Sequence, residues 1–253
     1  MGLIADSALS SMGAKIVSAG FIITFTIIRT DISTPMPRTL RDMDHAADTA
    51  LMQYLDRYFY PQHTTSYRRY NDKEHQLQGI DTICDIGDLK ELLIDEKAVS
   101  QYINEDLPTF AFEVDFLRSS GELTPGWLFD TGKRTRYYLL SWIRADISND
   151  IPPRERSLHL TADNILSLDT LLVNRKAIIN MLRNYGIDRE YVEAIAPRIR
   201  ATGKQGYYEK DNDRPCNFFF SAQLAERPIN IVVSKRKLEE LACRRFTIVP
   251  VTG

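Results

Sequence analysis

Two short apolar runs, GIDTICDI and LKELLIDEKAV, constrain the fold of this chain more than any other part of its sequence. Only Gly87 and Asp88 separate the two runs. Apolar runs joined by a glycine-containing pair of residues predict an antiparallel β-hairpin. Both runs also contain acidic side chains, and a charge placed inside a buried run needs a partner or a function. The hairpin is therefore the first candidate for a functional site.

The hairpin is expected to bring three charged side chains to one small surface. Alternate residues of a strand share a face, so Asp95 and Lys97 are neighbours on the second strand. A tight turn sets Asp81 of the first strand opposite Asp95, within a residue or two of register. Two carboxylates this close raise each other's pKa unless a cation neutralises them. Hard oxygen ligands suit Mg²⁺ or Mn²⁺, so the sequence predicts a divalent-metal site.

This arrangement resembles the active site of the PD-(D/E)XK nuclease superfamily. The resemblance is carried by the segment GID ending at Asp81 and the segment DEK from Asp95 to Lys97. It implies that Asp81 and Asp95 hold the metal and that the backbone carbonyl of Glu96 adds a ligand. It implies that Lys97 orients or helps activate the attacking water and stabilises charge on the phosphorane. The implied function is metal-dependent hydrolysis of phosphodiester bonds, with DNA as the first candidate substrate.

The resemblance covers about residues 40–145 and leaves the connection after Lys97 open. Only about 11 residues separate this lysine from the alternating run TFAFEVDF, where the superfamily normally places a full helix. Either the segment AVSQYINED forms a one- or two-turn helix, or the strands 109–117 and 136–146 are insertions. The sequence also shows no obvious strand in residues 62–76, a polar segment before Gly79 that we call the polar connector.

The run TFAFEVDF supplies one further candidate acid. Its alternation predicts a strand with the phenylalanines on one face and Glu113 on the other. Glu113 could reach the cleft of the hairpin as an additional acid. The alternative is a solvated polar face that Glu113 shares with Thr109 and Asp115.

The remaining patterns predict an α/β or α+β fold with a mixed central sheet flanked by helices. Apolar residues at three- and four-residue spacing predict a helix over 40–60 that ends at Pro61. Further helices are predicted over 167–186, ending at Gly186, and over 189–202, capped by Asp188. The other predicted elements are strands at 217–224 and 228–233, a helix after Ser234 and a last strand at 246–251. We expect an N-terminal segment 1–35, a nuclease core 36–150 and a basic helical and strand extension 151–253.

Charge is distributed unevenly, and this bears on the partners. The formal charge is −7 over residues 1–150 and +5 over residues 151–253. A basic half can meet a polyanion, so nucleic acid is the expected partner. Contacts could come from an aromatic and basic group or from the arginines of a helix-turn-helix pair. These side chains are Trp127, Lys133, Arg136, Tyr137 and Tyr138 in the first group, and Arg183, Arg189, Arg198 and Arg200 in the second.

Several absences in the sequence narrow the remaining function classes. The chain contains no GxGxxG and no GxxxxGK[ST], so no nucleotide cofactor is expected. Its three cysteines show no paired spacing, which argues against zinc fingers and fits a reducing, cytoplasmic compartment. A homo-oligomer is left open. The runner-up function is a catalytically inactive nucleic-acid-binding protein of the same fold.

The N-terminal segment contains an apolar run of 13 residues, from Ile16 to Ile28. This run is shorter than the roughly 20 residues that span a bilayer. A buried strand and a true start near Met36 or Met43 are both compatible with it. A membrane anchor is a third interpretation, and we expect no membrane association.

Overall fold

A computed structural model describes residues 40–251 of the protein. The helices are α1 (Leu40–Tyr58), α2 (Tyr60–His63), α3 (Lys73–Leu77), α4 (Arg175–Asn184), α5 (Arg189–Ala201) and α6 (Lys235–Leu241). The strands are β1 (Ser66–Arg69), β2 (Thr82–Ile86), β3 (Leu89–Ala98), β4 (Thr109–Leu117), β5 (Leu123–Pro125), β6 (Tyr137–Ala145), β7 (Ile165–Asn174), β8 (Gly206–Tyr208), β9 (Cys216–Phe220), β10 (Ile229–Ser234) and β11 (Ala242–Ile248). The segments 1–35 and Ile16–Ile28 lie outside the described residues.

The strands form two sheets. The larger sheet has six strands in the order β1-β2-β3-β6-β7-β11, and only β3 and β6 run parallel within it. The smaller sheet has five antiparallel strands in the order β5-β4-β10-β9-β8. The prediction of an α+β fold with a mixed central sheet flanked by helices is confirmed. Strands from both sides of residue 150 contribute to each sheet.

The six-stranded sheet is buried on both faces. On one face, α1 packs Tyr54 and Leu55 into a core that includes Ile94 of β3 and Leu139 of β6. On the other face, Tyr138 and its neighbours join a core built with the five-stranded sheet and with α4 and α5. The neighbouring acids Asp95 and Glu96 of the central strand β3 are therefore both buried, although they point to opposite faces.

The helix predicted over 40–60 forms, but its end differs from the prediction. Helix α1 ends at Tyr58, and after Phe59 the chain makes the short helix α2. Pro61 lies in the first turn of α2, where a missing backbone N–H costs nothing. Pro61 therefore begins a second helical segment instead of stopping the first.

The helix predicted over 167–186 is wrong in its first half. Residues Ile165–Asn174 form strand β7, which is hydrogen-bonded to β6 and β11 on its two sides. A strand buried on both faces shows a continuous apolar run, which periodicity does not distinguish from a buried helix. Helix α4 begins only after Asn174, whose side chain accepts a hydrogen bond from the N–H of Lys176.

Three predicted helix boundaries after residue 174 agree with the structure. Gly186 follows α4 with a φ of +75°, a conformation that favours glycine. Asp188 caps α5 by accepting from the N–H of Tyr191, and Ser234 caps α6 by accepting from that of Lys237. These signals are local, which is why the sequence alone locates them.

Between β3 and β4 the segment AVSQYINED forms a single 3-10 turn, Ser100–Tyr102, in place of the one- or two-turn helix considered as one alternative. The chain then enters the five-stranded sheet as β4 and returns as β6, which lies directly beside β3. The polar connector before Gly79 does contain a strand, β1, which pairs with β2. Its sequence, SYRR, has no apolar pattern, so only the pairing with β2 reveals it.

The assignment of β7 as a buried strand can be tested by two matched substitutions. Leu172 is fully buried in β7, whereas Leu166 of the same strand is 57% exposed. We expect Leu172→Ala to lower the free energy of unfolding by about 2–5 kcal/mol because it removes buried contacts and leaves a cavity. Leu166→Ala should change it by less than about 0.5 kcal/mol. Urea unfolding of both variants measures the difference, and similar losses would contradict the burial of Leu172 inside the sheet.

Candidate functional site

The β2–β3 hairpin sets two carboxylates opposite each other. Thr82 pairs with Ile94, and Asp81 and Asp95 are the residues beyond this pair on the two strands. The N–H of Asp81 donates to the carbonyl of Ile94 at 2.9 Å, and the Asp81 and Asp95 side chains are close enough to interact. The turn predicted at Gly87 is present, with a φ of +57°. The structure thus brings together the two acids that the sequence singled out.

Lys97 completes this group on the same face of β3. Its Nζ atom forms an ion pair with Oδ1 of Asp95, which is only 5% exposed. The ammonium also lies 5.7 Å from the centre of the Trp127 ring, within range of a cation–π interaction. Oδ2 of Asp81 accepts a hydrogen bond of 2.8 Å from the N–H of Glu96. Two carboxylates and one ammonium therefore share one small, largely buried surface.

The electrostatics of this surface favour binding of an added cation. The pKa of Asp95 is raised to about 7, because burial and the nearby Asp81 carboxylate raise it more than the Lys97 ammonium lowers it. Burial lowers the pKa of Lys97, but Asp95 and Asp81 outweigh it and the net shift is upward. Lys97 is therefore protonated at neutral pH, and a single ammonium does not fully compensate the two acids.

The side chain of Glu96 points away from this group. Its carboxylate accepts hydrogen bonds from Thr82 at 3.0 Å and from Arg69 at 2.9 and 3.1 Å, and it also contacts the hydroxyl of Tyr60. Arg69 in turn binds Asp56. The Glu96 carboxylate is thus committed to a buried network, and only its backbone carbonyl could serve as a metal ligand. The sequence did not reveal this network because Arg69 lies in the polar connector.

A cavity of about 320 Å³ opens beside the hairpin, between α1 and the connector. Asp81, Glu96 and Lys97 line it together with Asp48 of α1 and Arg69. The charge of Asp48 contributes to the raised pKa of Lys97. The sequence missed Asp48 because its position on the polar side of an amphipathic helix resembles ordinary surface.

Glu113 lies close enough to Lys97 for the two charges to interact. The pKa of Glu113 is raised to about 7, because burial and the charge of Glu226 raise it more than Lys97 and Lys133 lower it. The alternative of a solvated face is wrong for Asp115, which is buried in an ion pair with Arg200. The register of β4 against β10 shifts between these two acids, and such a bulge reorients the following side chain.

The aromatic candidates divide into core and surface. Tyr138 is fully buried, and Trp127 packs against it with ring centres 5.0 Å apart. These two rings therefore belong to the core that supports Lys97. Arg136 is exposed and Tyr137 is partly exposed, at the start of β6, so both remain accessible to a partner.

The oxygen donors of the hairpin suit a magnesium ion. Mg²⁺ in proteins keeps several waters and is bound by one or two carboxylates. Asp81, Asp95 and the carbonyl of Glu96 provide such a donor set. Over the described range 40–251, no group of three or more His, Cys, Asp or Glu side chains is placed to hold a metal. A metal here would therefore depend on two carboxylates, with water completing its shell.

Comparison with known proteins identifies no relative. No protein-family model, curated protein or solved structure matches the chain. Within residues 40–251, no helix is long and apolar enough to cross a membrane. Support for a function comes from the chemistry of the described side chains.

The burial of Asp95 predicts a specific pH dependence of stability in the metal-free protein. Its pKa in the folded state, about 7, lies above its ordinary value of 3.8, so the folded protein binds the proton more tightly. The corresponding stability is fully present below about pH 4 and is lost as the pH rises through 7. In EDTA, Tm should therefore fall between pH 5 and pH 8, and less steeply in Asp95→Asn. Asp213→Asn, an exposed control, should retain the wild-type slope; equal slopes in Asp95→Asn and wild type would contradict the prediction.

The buried network of Glu96 predicts an asymmetric response to mutation. Arg69→Met leaves the Glu96 carboxylate buried without its cation, so we expect a loss of about 3–5 kcal/mol in the free energy of unfolding. The double variant Arg69→Met/Glu96→Gln should recover part of that loss because it removes the unpaired charge. The neighbouring exposed Arg68→Met is the matched control. Urea unfolding measures all three, and equal effects of Arg69→Met and Arg68→Met would disprove the role of the network.

Proposed function

We propose that the protein is a metal-dependent nuclease that hydrolyses phosphodiester bonds, with DNA as its first candidate substrate. The observation that carries the proposal is the meeting of Asp81, Asp95 and Lys97 on one surface of the hairpin. Two adjacent carboxylates, one of them buried, attract a divalent cation, and a neighbouring ammonium suits a substrate that becomes more negative during reaction. The resemblance of these residues to the PD-(D/E)XK pattern points in the same direction.

Each residue of the hairpin has a distinct role in this proposal. Bound Mg²⁺ would lower the pKa of water and neutralise charge on the phosphodiester. Asp81 and Asp95 hold the ion, and the N–H of Glu96 orients the Asp81 carboxylate. Asp95 must be ionised to do so, which favours neutral over acidic pH.

The upward shift in the pKa of Lys97 limits what this residue can do. A lysine that stays protonated at neutral pH cannot accept a proton from water. It can stabilise the negative charge that develops on the phosphorane oxygens, or donate a proton to the leaving oxygen. We therefore assign Lys97 charge stabilisation instead of the role of general base.

One observation favours the runner-up function, a nucleic-acid-binding protein without catalytic activity. The ion pair with Lys97 already neutralises part of the Asp95 charge, and among the described residues no third acidic side chain is placed to bind a metal together with Asp81 and Asp95. A binding protein of this kind would retain its affinity for nucleic acid in Asp95→Ala and would need no Mg²⁺.

The proposal is tested by incubating the purified protein with plasmid, linear duplex, single-stranded DNA and RNA. Each substrate is combined with Mg²⁺, Mn²⁺ or EDTA. We expect cleavage that requires the metal and falls at least about 100-fold in Asp95→Ala and in Lys97→Ala, because each substitution removes a charge that acts at the reacting phosphate. Gel electrophoresis of the products measures the rate.

The exposed variants Lys73→Ala and Asp213→Ala are the matched controls and should cleave at the wild-type rate. Cleavage that persists equally in Asp95→Ala and Lys97→Ala would remove the hairpin from the reaction. Binding without cleavage on every substrate would establish the runner-up function instead.

A further inference from the structure

A strongly basic cavity extends from the start of β6 to α4 and α5. Its volume is about 760 Å³, and its walls are the starts of β3 and β6, the loop before β6, helix α4 and the start of α5. Glu91 is the one carboxylate among its lining residues. The cationic side chains that line it are Lys90, Arg136, Arg175, Lys176, Arg183 and Arg189. We call this cavity, with these six residues, the basic groove.

Most of the positive charge in the basic groove is not neutralised by the protein. Three of the six cations are exposed and form no ion pair with any residue of the range 40–251: Arg136, Lys176 and Arg183. Lys90 contacts Asp85 at 3.4 Å and Arg189 contacts Glu193 at 2.7 Å, but exposed pairs of this kind are weak. The chain as a whole carries a formal charge of −2, so this local excess does not follow from its composition.

Arg175 gives one wall of the groove a fixed shape. Its guanidinium donates to the carbonyls of Leu128, Asp130 and Lys133 at 3.0, 2.6 and 3.0 Å. These bonds hold the loop before β6 against the start of α4 without any carboxylate partner, so the positive charge of Arg175 stays uncompensated. The amino-terminal end of α4, a helix of ten residues, adds a positive partial charge on the same side.

The arrangement of the cations favours a ligand with regularly repeated negative charge. Arg136 directly precedes β6, and Lys176 and Arg183 lie at the two ends of α4. These three exposed cations are therefore spread along a surface and do not converge on a single point. A phosphate backbone presents charges at regular intervals and is bound mainly by lysine and arginine. The partly exposed ring of Tyr137 in the groove could also stack on an unpaired base.

We propose that the basic groove binds the phosphate backbone of the nucleic acid whose cleavage is assigned to the hairpin. This inference rests on the proposed function. Strand β3 leads from Lys90 in the groove to Asp95 over roughly 16 Å, and Tyr137 of the groove pairs with Ile94, the residue before Asp95. The groove therefore begins close to the hairpin acids and would hold phosphates that flank the cut.

The test measures binding separately from cleavage. A fluorescent duplex of 30 base pairs is titrated in EDTA, where no metal-dependent cleavage occurs, with wild type and the triple variant Arg136→Ser/Lys176→Ser/Arg183→Ser. We expect Kd to rise roughly tenfold or more in the triple variant. The slope of log Kd against log salt should fall by about one for each phosphate contact that is lost.

A second triple variant, Arg118→Ser/Lys204→Ser/Arg236→Ser, is the matched control because it removes the same charge from exposed positions outside the groove. Its Kd should stay within about twofold of wild type. Thermal unfolding checks that both variants fold, and Lys176→Glu alone, at an exposed position, should also weaken binding if the triple variant unfolds. An unchanged Kd in the groove variants, or an equal loss in the control, would overturn the proposal.

Two further binding measurements distinguish this inference from the nuclease proposal and from binding of an acidic protein. Asp95→Ala should bind the duplex in EDTA as wild type does, so loss of its cleavage alone tests the hairpin. A duplex that binds normally while no substrate is cleaved would leave the groove standing and remove the nuclease. Polyglutamate that competes as well as DNA at equal charge would show a site for acidic protein and overturn the proposal.

Discussion

Two carboxylates are buried on opposite faces of β3, and each depends on its neighbours for compensation. Burial raises the pKa of Glu96, and Arg69 with the hydroxyls of Tyr60 and Thr82 offsets part of that cost. Asp95 has a single ammonium and faces a second acid, and its pKa rises to about 7. One face of the strand is therefore electrostatically complete, and the other has unused capacity for a cation.

The two cores explain why both carboxylates are buried. Helix α1 covers the face of the six-stranded sheet that holds Glu96, and the five-stranded sheet covers much of the face that holds Asp95. Because β3 lies between β2 and β6, its backbone is paired on both sides. The position of the acids is thus set by a rigid part of the fold, as the placing of a small ion or a phosphate requires.

The distribution of charge in the folded protein differs from its distribution along the chain. The sequence places the basic excess after residue 150, but the basic groove also takes Lys90 and Arg136 from the acidic half. Conversely, Arg200 of the basic half is buried against Asp115 and is withdrawn from the surface. The arginines of the predicted helix-turn-helix pair therefore divide between the groove, the interior and the surface.

Local physics explains what the sequence determined by itself. The hairpin at Gly87, the alternating strand that contains Glu113, the apolar face of α1 and the helix boundaries at Gly186 and Asp188 all depend on residues close together in the chain. A turn glycine, a period of two and a cap each have an energetic cause within a few residues. These features also sufficed to bring Asp81 and Asp95 together.

Elements that depend on partners far apart in the chain become visible only in the folded structure. Strand β7 replaces a predicted helix because β6 and β11 pair with both of its edges, and β1 forms in a polar segment because β2 offers it a ladder. The bond network of Glu96 joins residues up to 36 positions apart. Hydrogen bonding and burial across such separations leave no periodic pattern in the sequence, so they emerge only when the sheets assemble.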